Sequence, residues 1–448
     1  MAGKGDFASS RSLVRLAQAE RVKQLLKTAR AVSHDEQTAA LEPVPAPPTP
    51  DRVPLYAVAI DGSYVEHPVR SGYPGASVGY VTVAGVLLNL RDLDQLDESR
   101  PIDPVEFRKT EKAETIDAAL PGSNVVTGSH ASALEAFRAE VYEILHKNQV
   151  QEGESESLLE TFNRLLALKP QTRAVKCPRE DCEHEFHITE QTTQCICDKR
   201  CRIYSTDALR IHERFNDVGS NGEAFGLVMQ VWERLLLVNL LSLFERLDWL
   251  KGMGQLIFLV EGTLAVFGPP AWLSAAISTE LKRLNEKVRQ STGNDMMLVG
   301  IETSGSFVTH FEEVDQTEIP GMRRFARRSY FLPTDDYIKQ CIVPSDSTRR
   351  YGRDTYFGRK FFYKTHSGAR IVANIAFLSE EQDTLDSSDA ALYPQFGAIC
   401  GVLDRLASSQ TANTLSPIIS AHAHAAIPIK MGKHVLQQLA RTLMEQNR

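Results

Sequence analysis

The period of the hydrophobic pattern changes several times along the chain. Residues 9–32 carry Leu13, Val14, Leu16, Val22, Leu25 and Leu26 at helical spacing among basic residues. This predicts an amphipathic helix that packs on a neighbour or a partner. LEPVPAPPTPDRVP follows, and its prolines predict a stiff, extended connector. PLYAVAID and ASVGYVTVAGVLLNL are short, valine-rich and bounded by Gly, Pro and Ser, so both read as strands. Residues 100–215 are polar and mixed, with a helix predicted over 131–147. A long helix is predicted over about 222–250, then a third buried strand in QLIFLVEGTLAVFG, a helix over 271–290 and a strand in MMLVGIET. Strands in KFFYKT and ARIVANIAF, a helix over 390–408 and a final helix over about 431–446 complete the reading.

The order divides the chain into a helical segment (1–40), a proline-rich linker (41–52) and a main domain (53–448), with an insertion over about 100–215. Strands alternating with helices predict a mixed α/β sheet with helices on its faces. The two strands that end in an acid, at Asp61 and Glu261, become neighbours if connections are short.

Both acids are followed by Gly and a hydroxyl residue. Glycine lets a chain turn sharply and lets a phosphate backbone come close. An Asp-Gly turn or a solvated acid explains either residue alone. Two carboxylates from adjacent strands repel, and a divalent cation resolves the repulsion. Glu233 adds a third acid, on a helical stripe with Leu236, Leu237, Leu240 and Leu241, where a carboxylate is costly unless paired, protonated or bound to a cation. A salt bridge to an arginine is the alternative. Glu223 and Glu245 lie on other faces. AHAHAAIP supplies His422 and His424, which share a side of an extended segment but diverge on a helix. Histidine beside carboxylates serves as a metal ligand or proton-transfer group, and otherwise as a packing residue. Acids and imidazole gathered on a mixed sheet suit metal-assisted phosphodiester hydrolysis, with Mg or Mn favoured by the hard oxygen ligands.

Composition narrows the class. A 448-residue chain with 42% hydrophobic and 24% charged residues is that of a folded protein. The net charge of -7 argues against a wholly basic nucleic-acid coat but leaves room for local basic grooves. No apolar run reads as long enough to span a bilayer, no secretory signal heads the chain, and a cytoplasmic location is the expectation. Five of the seven cysteines fall between Cys177 and Cys201. Cys177, Cys182, Cys195 and Cys197 form two pairs across a short loop, a zinc-ribbon-like pattern over 175–202 that suits structural Zn; Cys201, His184 and His187 are substitutes, and reduced thiols without metal are the alternative. RRFARRSY and RRYGRDTYFGRKFFYK interleave cations with aromatics, so Arg323, Arg324, Arg327, Arg328, Arg349, Arg350, Arg359, Lys360 and Tyr363 are candidate DNA contacts, or else a solvated basic face over core aromatics.

AIDGS after a strand, FLVEGTL after a Glu-bearing helix, LVGIETSGSFV and SPIISAHAHAAIP together resemble the NurA nucleases over about residues 53–440. The resemblance implies an RNase H-like core related to the Piwi type, Mn-dependent DNA cleavage, a homodimer, and work beside HerA, a hexameric ATPase, in DNA end processing or defence against phage. It implies metal-binding roles for Asp61, Glu233, Glu261 and His422, with His424 as second choice, and a place near the site for Tyr363. Glu261 departs from the aspartate usual in the family, and Thr303 stands where related proteins often have lysine. The chain has no G-x-x-x-x-G-K-[ST] motif, so it cannot power translocation by that route; the N-terminal helix is the candidate docking element for a partner that does. A scaffold with a decayed site, holding DNA or capping the ATPase ring, is the competing reading. An RNA nuclease or guided Piwi-like binder, which shares the fold class, is a third.

Overall fold

The computed structural model describes residues 15, 18–28, 41–50, 53–69, 74–93, 111–149, 156–169, 174–179, 181–197, 200–317, 319, 321–384, 388–407 and 414–426. The chain divides into two units, Met1–Leu41 and Glu42–Arg448. The first contains helix α1 (Glu20–Thr28), within the span expected to be helical. The helix expected over 431–446 lies outside the described residues.

The second unit is organised by a nine-stranded sheet. In chain order its strands are β1 (Val44–Pro45), β2 (Tyr56–Pro68), β3 (Ser77–Asn89) and β4 (Glu111–Pro121), then, after a separate ribbon of β5 (Val175–Lys176) and β6 (Glu185–Phe186), β7 (Leu256–Glu261), β8 (Met297–Glu302), β9 (Ser329–Phe331), β10 (Gly358–Lys364) and β11 (Arg370–Ala376). Their spatial order is β1-β9-β10-β11-β8-β7-β2-β3-β4. β2, β3 and β4 form an antiparallel meander, and β7 and β8 run parallel to β2. The block β4-β3-β2-β7-β8 is thus the RNase H-like arrangement, and β11, β10, β9 and β1 extend it antiparallel beyond β8.

The sheet alternates sides with period two. Val58, Ile60, Phe258, Val260 and Leu298 face one core layer. That layer holds helices α2 (Ala133–Lys147), α3 (Leu158–Ala167), α4 (Gly222–Arg246) and α5 (Leu273–Thr292). Short helices α6 (Ser306–Val314) and α7 (Asp335–Cys341) follow β8 and β9. Ala57, Ala59, Ile257, Leu259, Val299 and Ile301 face the opposite layer, under α8 (Phe396–Leu406) and α9 (Ser416–Ala425). The alanines of β2 leave room for α9 to lie close over the strand.

Three expectations change here. First, β2 does not end at Asp61: it pairs with β3 in unbroken register from Tyr56↔Asn89 to Pro68↔Ser77. What stops at that point is the parallel pairing to β7, whose last partners are Ile60↔Val260. Second, β4 lies inside the stretch read as polar and mixed. Its half-covered positions Ile116 and Ala118 alternate with exposed ones, as suits an edge strand packed on one side. Third, α4 is long and apolar enough by length and composition to cross a bilayer, yet Phe225, Trp232, Leu235, Leu237 and Leu241 are fully buried against the sheet. It is the core helix of this layer.

Candidate metal centre

The geometry begins where β2 outruns β7. Asp61 is fully buried within β2, and Glu261 is the last residue of β7 beside it. His422 reaches Asp61 from α9, with its Nδ1 2.9 Å from Asp61 Oδ2. Ligand atoms of Asp61, Glu261 and His422 all lie within 4.8 Å of one another. The imidazole is 61% exposed, so the group opens to solvent on the His422 side. AHAHA is helical, and two residues on a helix place side chains on diverging faces. His424 therefore does not join this group.

The two glycines after the acids do different jobs. Gly262 turns the chain in the left-handed region at φ 75° and donates its N–H to Ile301 O at 2.7 Å. Gly62 continues the strand. Its N–H donates to Asp61 Oδ1 at 2.7 Å, and a Cβ here would lie 2.6 Å from Glu233 Oε1 and 2.8 Å from Met229 Cγ. The missing side chain is the space that Glu233 of α4 occupies. Glu233 is buried outside the trio: it makes the arginine pair that was the alternative, with Arg234 at 3.3 Å, and faces the charge of Glu261. Glu223 instead pairs with Arg214 at 3.3 Å, and Glu245 with Arg283 at 2.6 Å.

Electrostatics mark the cluster. Burial, then the hydrogen bond and charge of Glu261 and the charge of Glu233, push Asp61 up to about 10, against the pull of the Gly62 N–H. Burial and Glu261 push Glu233 up to about 7, with Arg234 opposing. Carboxylates this crowded either hold protons or share a cation. Two carboxylates and one imidazole form a mixed oxygen and nitrogen donor set that could hold a divalent cation. Thr303 donates to Glu261 Oε1 at 3.2 Å. A cation still enters this neighbourhood: Lys360 forms a buried pair with Glu302 and lies 3.4 Å from Thr263 Oγ1.

A second ligand group gathers the four cysteines of the insertion. Cys177, Cys182, Cys195 and Cys197 have their sulfurs within 4.8 Å of one another. The turn from Cys177 is pinned by Cys177 N to His184 O at 2.8 Å, and the second by Cys195 N to Cys201 O at 2.9 Å. Cys182 and Cys195 are 3.7 Å apart, close to the roughly 3.8 Å that tetrahedral Zn–S bonds impose. Of the substitutes, His184 and His187 are both exposed, and His184 Nδ1 is 3.4 Å from Cys182 Sγ. Burial pushes the Cys177 and Cys195 thiols up, so without a cation they stay protonated. The module is tied to α2 by the buried pair of Arg138 and Asp207 at 2.6 Å and by Arg138 Nη2 to Arg202 O at 2.8 Å.

The basic stretches divide. Arg323, Arg324, Arg327 and Arg349 are exposed. Arg328 is half-buried, donating to Thr49 Oγ1 at 2.9 Å. Arg350, Arg359, Lys360 and Tyr363 are interior, which corrects their placement on a DNA-facing surface. For Arg359, Lys360 and Tyr363 the reason is that β10 lies between β9 and β11 with both faces covered. Arg359 pairs with Asp335 at 3.2 Å, Arg350 with Asp383 at 2.8 Å, and Tyr363 donates to Asp404 at 3.0 Å. Arg349 and Arg350 line a groove of about 990 Å³ shared with Lys169, Arg210, Arg353 and Trp272.

Sequence reading missed Arg234 and the space at Gly62. The Glu-Arg pair on an apolar helix stripe was the available signal for the first.

Comparison with known proteins adds the family. A comparison with curated proteins finds no match. Among solved structures, a crystal structure of NurA matches at 10% identity over 98% of this chain and 98% of that one, with a TM-score of 0.31. A crystal structure of NurA with manganese matches at 10% identity over 97% and 98%, with a TM-score of 0.25. The profile of the NurA domain matches residues 57–408, most of the chain and the whole of the block that bears Asp61, Glu233 and Glu261. The chain belongs to the NurA family.

Proposed function

We propose that this protein is a Mn- or Mg-dependent deoxyribonuclease that hydrolyses phosphodiester bonds at a centre formed by Asp61, Glu261 and His422, with Glu233 in support. The observation that carries the reading is the convergence of these three side chains within 4.8 Å, at the solvent-facing end of a shared strand pair. A divalent ion in such a group activates water and stabilises the leaving oxygen. The chain's own residues prepare the place. β2 and the Gly62 N–H fix one Asp61 oxygen, Thr303 holds one Glu261 oxygen, and His422 stands at the open side, where a proton can be exchanged with solvent. Arg323, Arg324, Arg327 and the groove at Arg349 and Arg353 are the surface cations suited to a phosphate backbone. Zn is the ion proposed for the four cysteines.

Work beside a DNA-pumping ATPase of the HerA type, with the N-terminal helix as docking element and the protein as a homodimer, is proposed from membership of the NurA family. DNA end processing or defence against phage is the setting proposed. The second reading, a DNA-holding scaffold of that ATPase, rests on glutamate at 261, whose extra methylene moves the ligand oxygen.

The test is cleavage of linear DNA with Mn²⁺, Mg²⁺ or EDTA, with and without the ATPase partner. Cleavage is expected with Mn²⁺ and absent in EDTA, and His422→Ala is expected to lower it about a hundredfold. Cleavage that persists in EDTA overturns the metal centre. No cleavage under any condition with the partner present selects the scaffold. Gly62→Ala tests the space below Glu233: its Cβ must push the carboxylate aside, and a roughly tenfold or greater loss of cleavage is expected at near-normal melting temperature.

A further inference from the structure

We infer that Arg234 is a positioning residue, a buried fork that locks Glu233 and the segment 261–265 into one geometry before a metal ion arrives. This rests on the nuclease reading above. Arg234 is 4% exposed and follows Glu233 directly on α4. Its Nη1 lies 3.3 Å from Glu233 Oε2. Its Nε donates to Ala265 O at 3.3 Å, and its Nη2 to Thr263 O at 3.0 Å, with a longer contact to Glu261 O at 3.5 Å. One planar group therefore joins the helix that carries one acid to the turn that carries another.

Two features make this more than a buried ion pair. The contacts to the turn are to backbone carbonyls, so they set where the chain leaves β7 and hence where the Glu261 carboxylate can reach. The same turn is held from the sheet side, where Thr263 Oγ1 donates to Asn374 Oδ1 at 2.9 Å. Residues 261–265 are thus clamped between α4 and β11. Arginine suits this role because its donors spread in a rigid plane, whereas a lysine ammonium is a single point on a flexible stem and cannot serve both ends. A pre-set ligand geometry spares metal binding the cost of ordering the turn.

The test uses the full chain carrying Arg234→Lys, which keeps the charge and loses the fork, and Arg234→Gln, made in parallel so that one variant that fails to fold leaves the other to decide. Mn²⁺ alone is titrated and followed by electron paramagnetic resonance. Amide hydrogen exchange is measured in EDTA, and DNA cleavage is split into kcat and KM. The expected result is Mn²⁺ binding about tenfold weaker, faster exchange confined to 261–266, a lower kcat and an unchanged KM for DNA. A folded Arg234→Lys chain with wild-type Mn²⁺ affinity and exchange overturns the inference. So does faster exchange spread evenly over β10 and β11, which marks a role in general stability. Asp61→Asn separates the two levels: Mn²⁺ binding that survives it overturns the metal centre and this inference together, while binding lost there but unchanged in the Arg234 variants overturns the inference alone.

Discussion

Asp61→Asn is expected to lower Mn²⁺-dependent DNA cleavage by about a thousandfold or more while raising the melting temperature of the metal-free protein. The two effects share one cause. Asp61 is fully buried between α9 and the neighbouring acids, and in the metal-free chain burial and Glu261 push it up to about 10, from an ordinary value of 3.8. Between those values the folded chain keeps a proton that the unfolded chain has released. Stability therefore falls as pH rises through this window. Asparagine has the shape of the protonated acid, accepts the Gly62 N–H and carries no charge, so it removes the loss. The gap in melting temperature between variant and wild type, measured in EDTA, is expected to widen from pH 5 to pH 9. A gap that stays flat or reverses contradicts the burial argument. Mn²⁺ is expected to raise the melting temperature of the wild type and leave that of the variant unchanged, because a ligand stabilises only a state that binds it.

The largest effect on stability is expected at the cysteine module. Wild-type protein is expected to hold about one Zn per chain, and Cys177→Ser with Cys182→Ser is expected to lose it and to lower the melting temperature by about 10 °C or more. Cys177, Cys182 and Cys195 are buried in the same layer as Val175, Ile188, Ile203 and the apolar residues of α2 and α3. Loss of an ion there is therefore expected to expose part of that layer rather than a detached knob. Elemental analysis and thermal melting with and without a strong chelator check this. A wild-type chain free of zinc and unaffected by the chelator would show the thiols to be plain core residues.

Much of the fold was legible in short windows. β7, β8 and the first half of β2 are short apolar runs, and α4 announces itself by length. The cysteine spacing needed nothing beyond the chain. Asp61 and Glu261 stood out because each follows such a run, and the preference for short connections placed those runs side by side, as β2 and β7 are.

Other features depended on what packs across. Asp61 looked like a strand end because a Gly-Ser pair follows it, yet pairing to β3 carries the strand on to Pro68. Arg359, Lys360 and Tyr363 looked like a nucleic-acid surface because their charges and rings are adjacent in sequence. They are interior because β9 and β11 flank them and Asp335, Glu302 and Asp404, distant in the chain, supply partners. His422 was separated from His424 by the helical form of α9, and Arg234 acquired its role from carbonyls near thirty residues away. Periodicity and ligand spacing are set within a few residues, so the sequence by itself determined β2, β3, β7, β8, β10 and β11, the long helix and the cysteine pairs. Which charges are buried, and against which partners, is set by contacts between distant segments, and that only the tertiary structure decided.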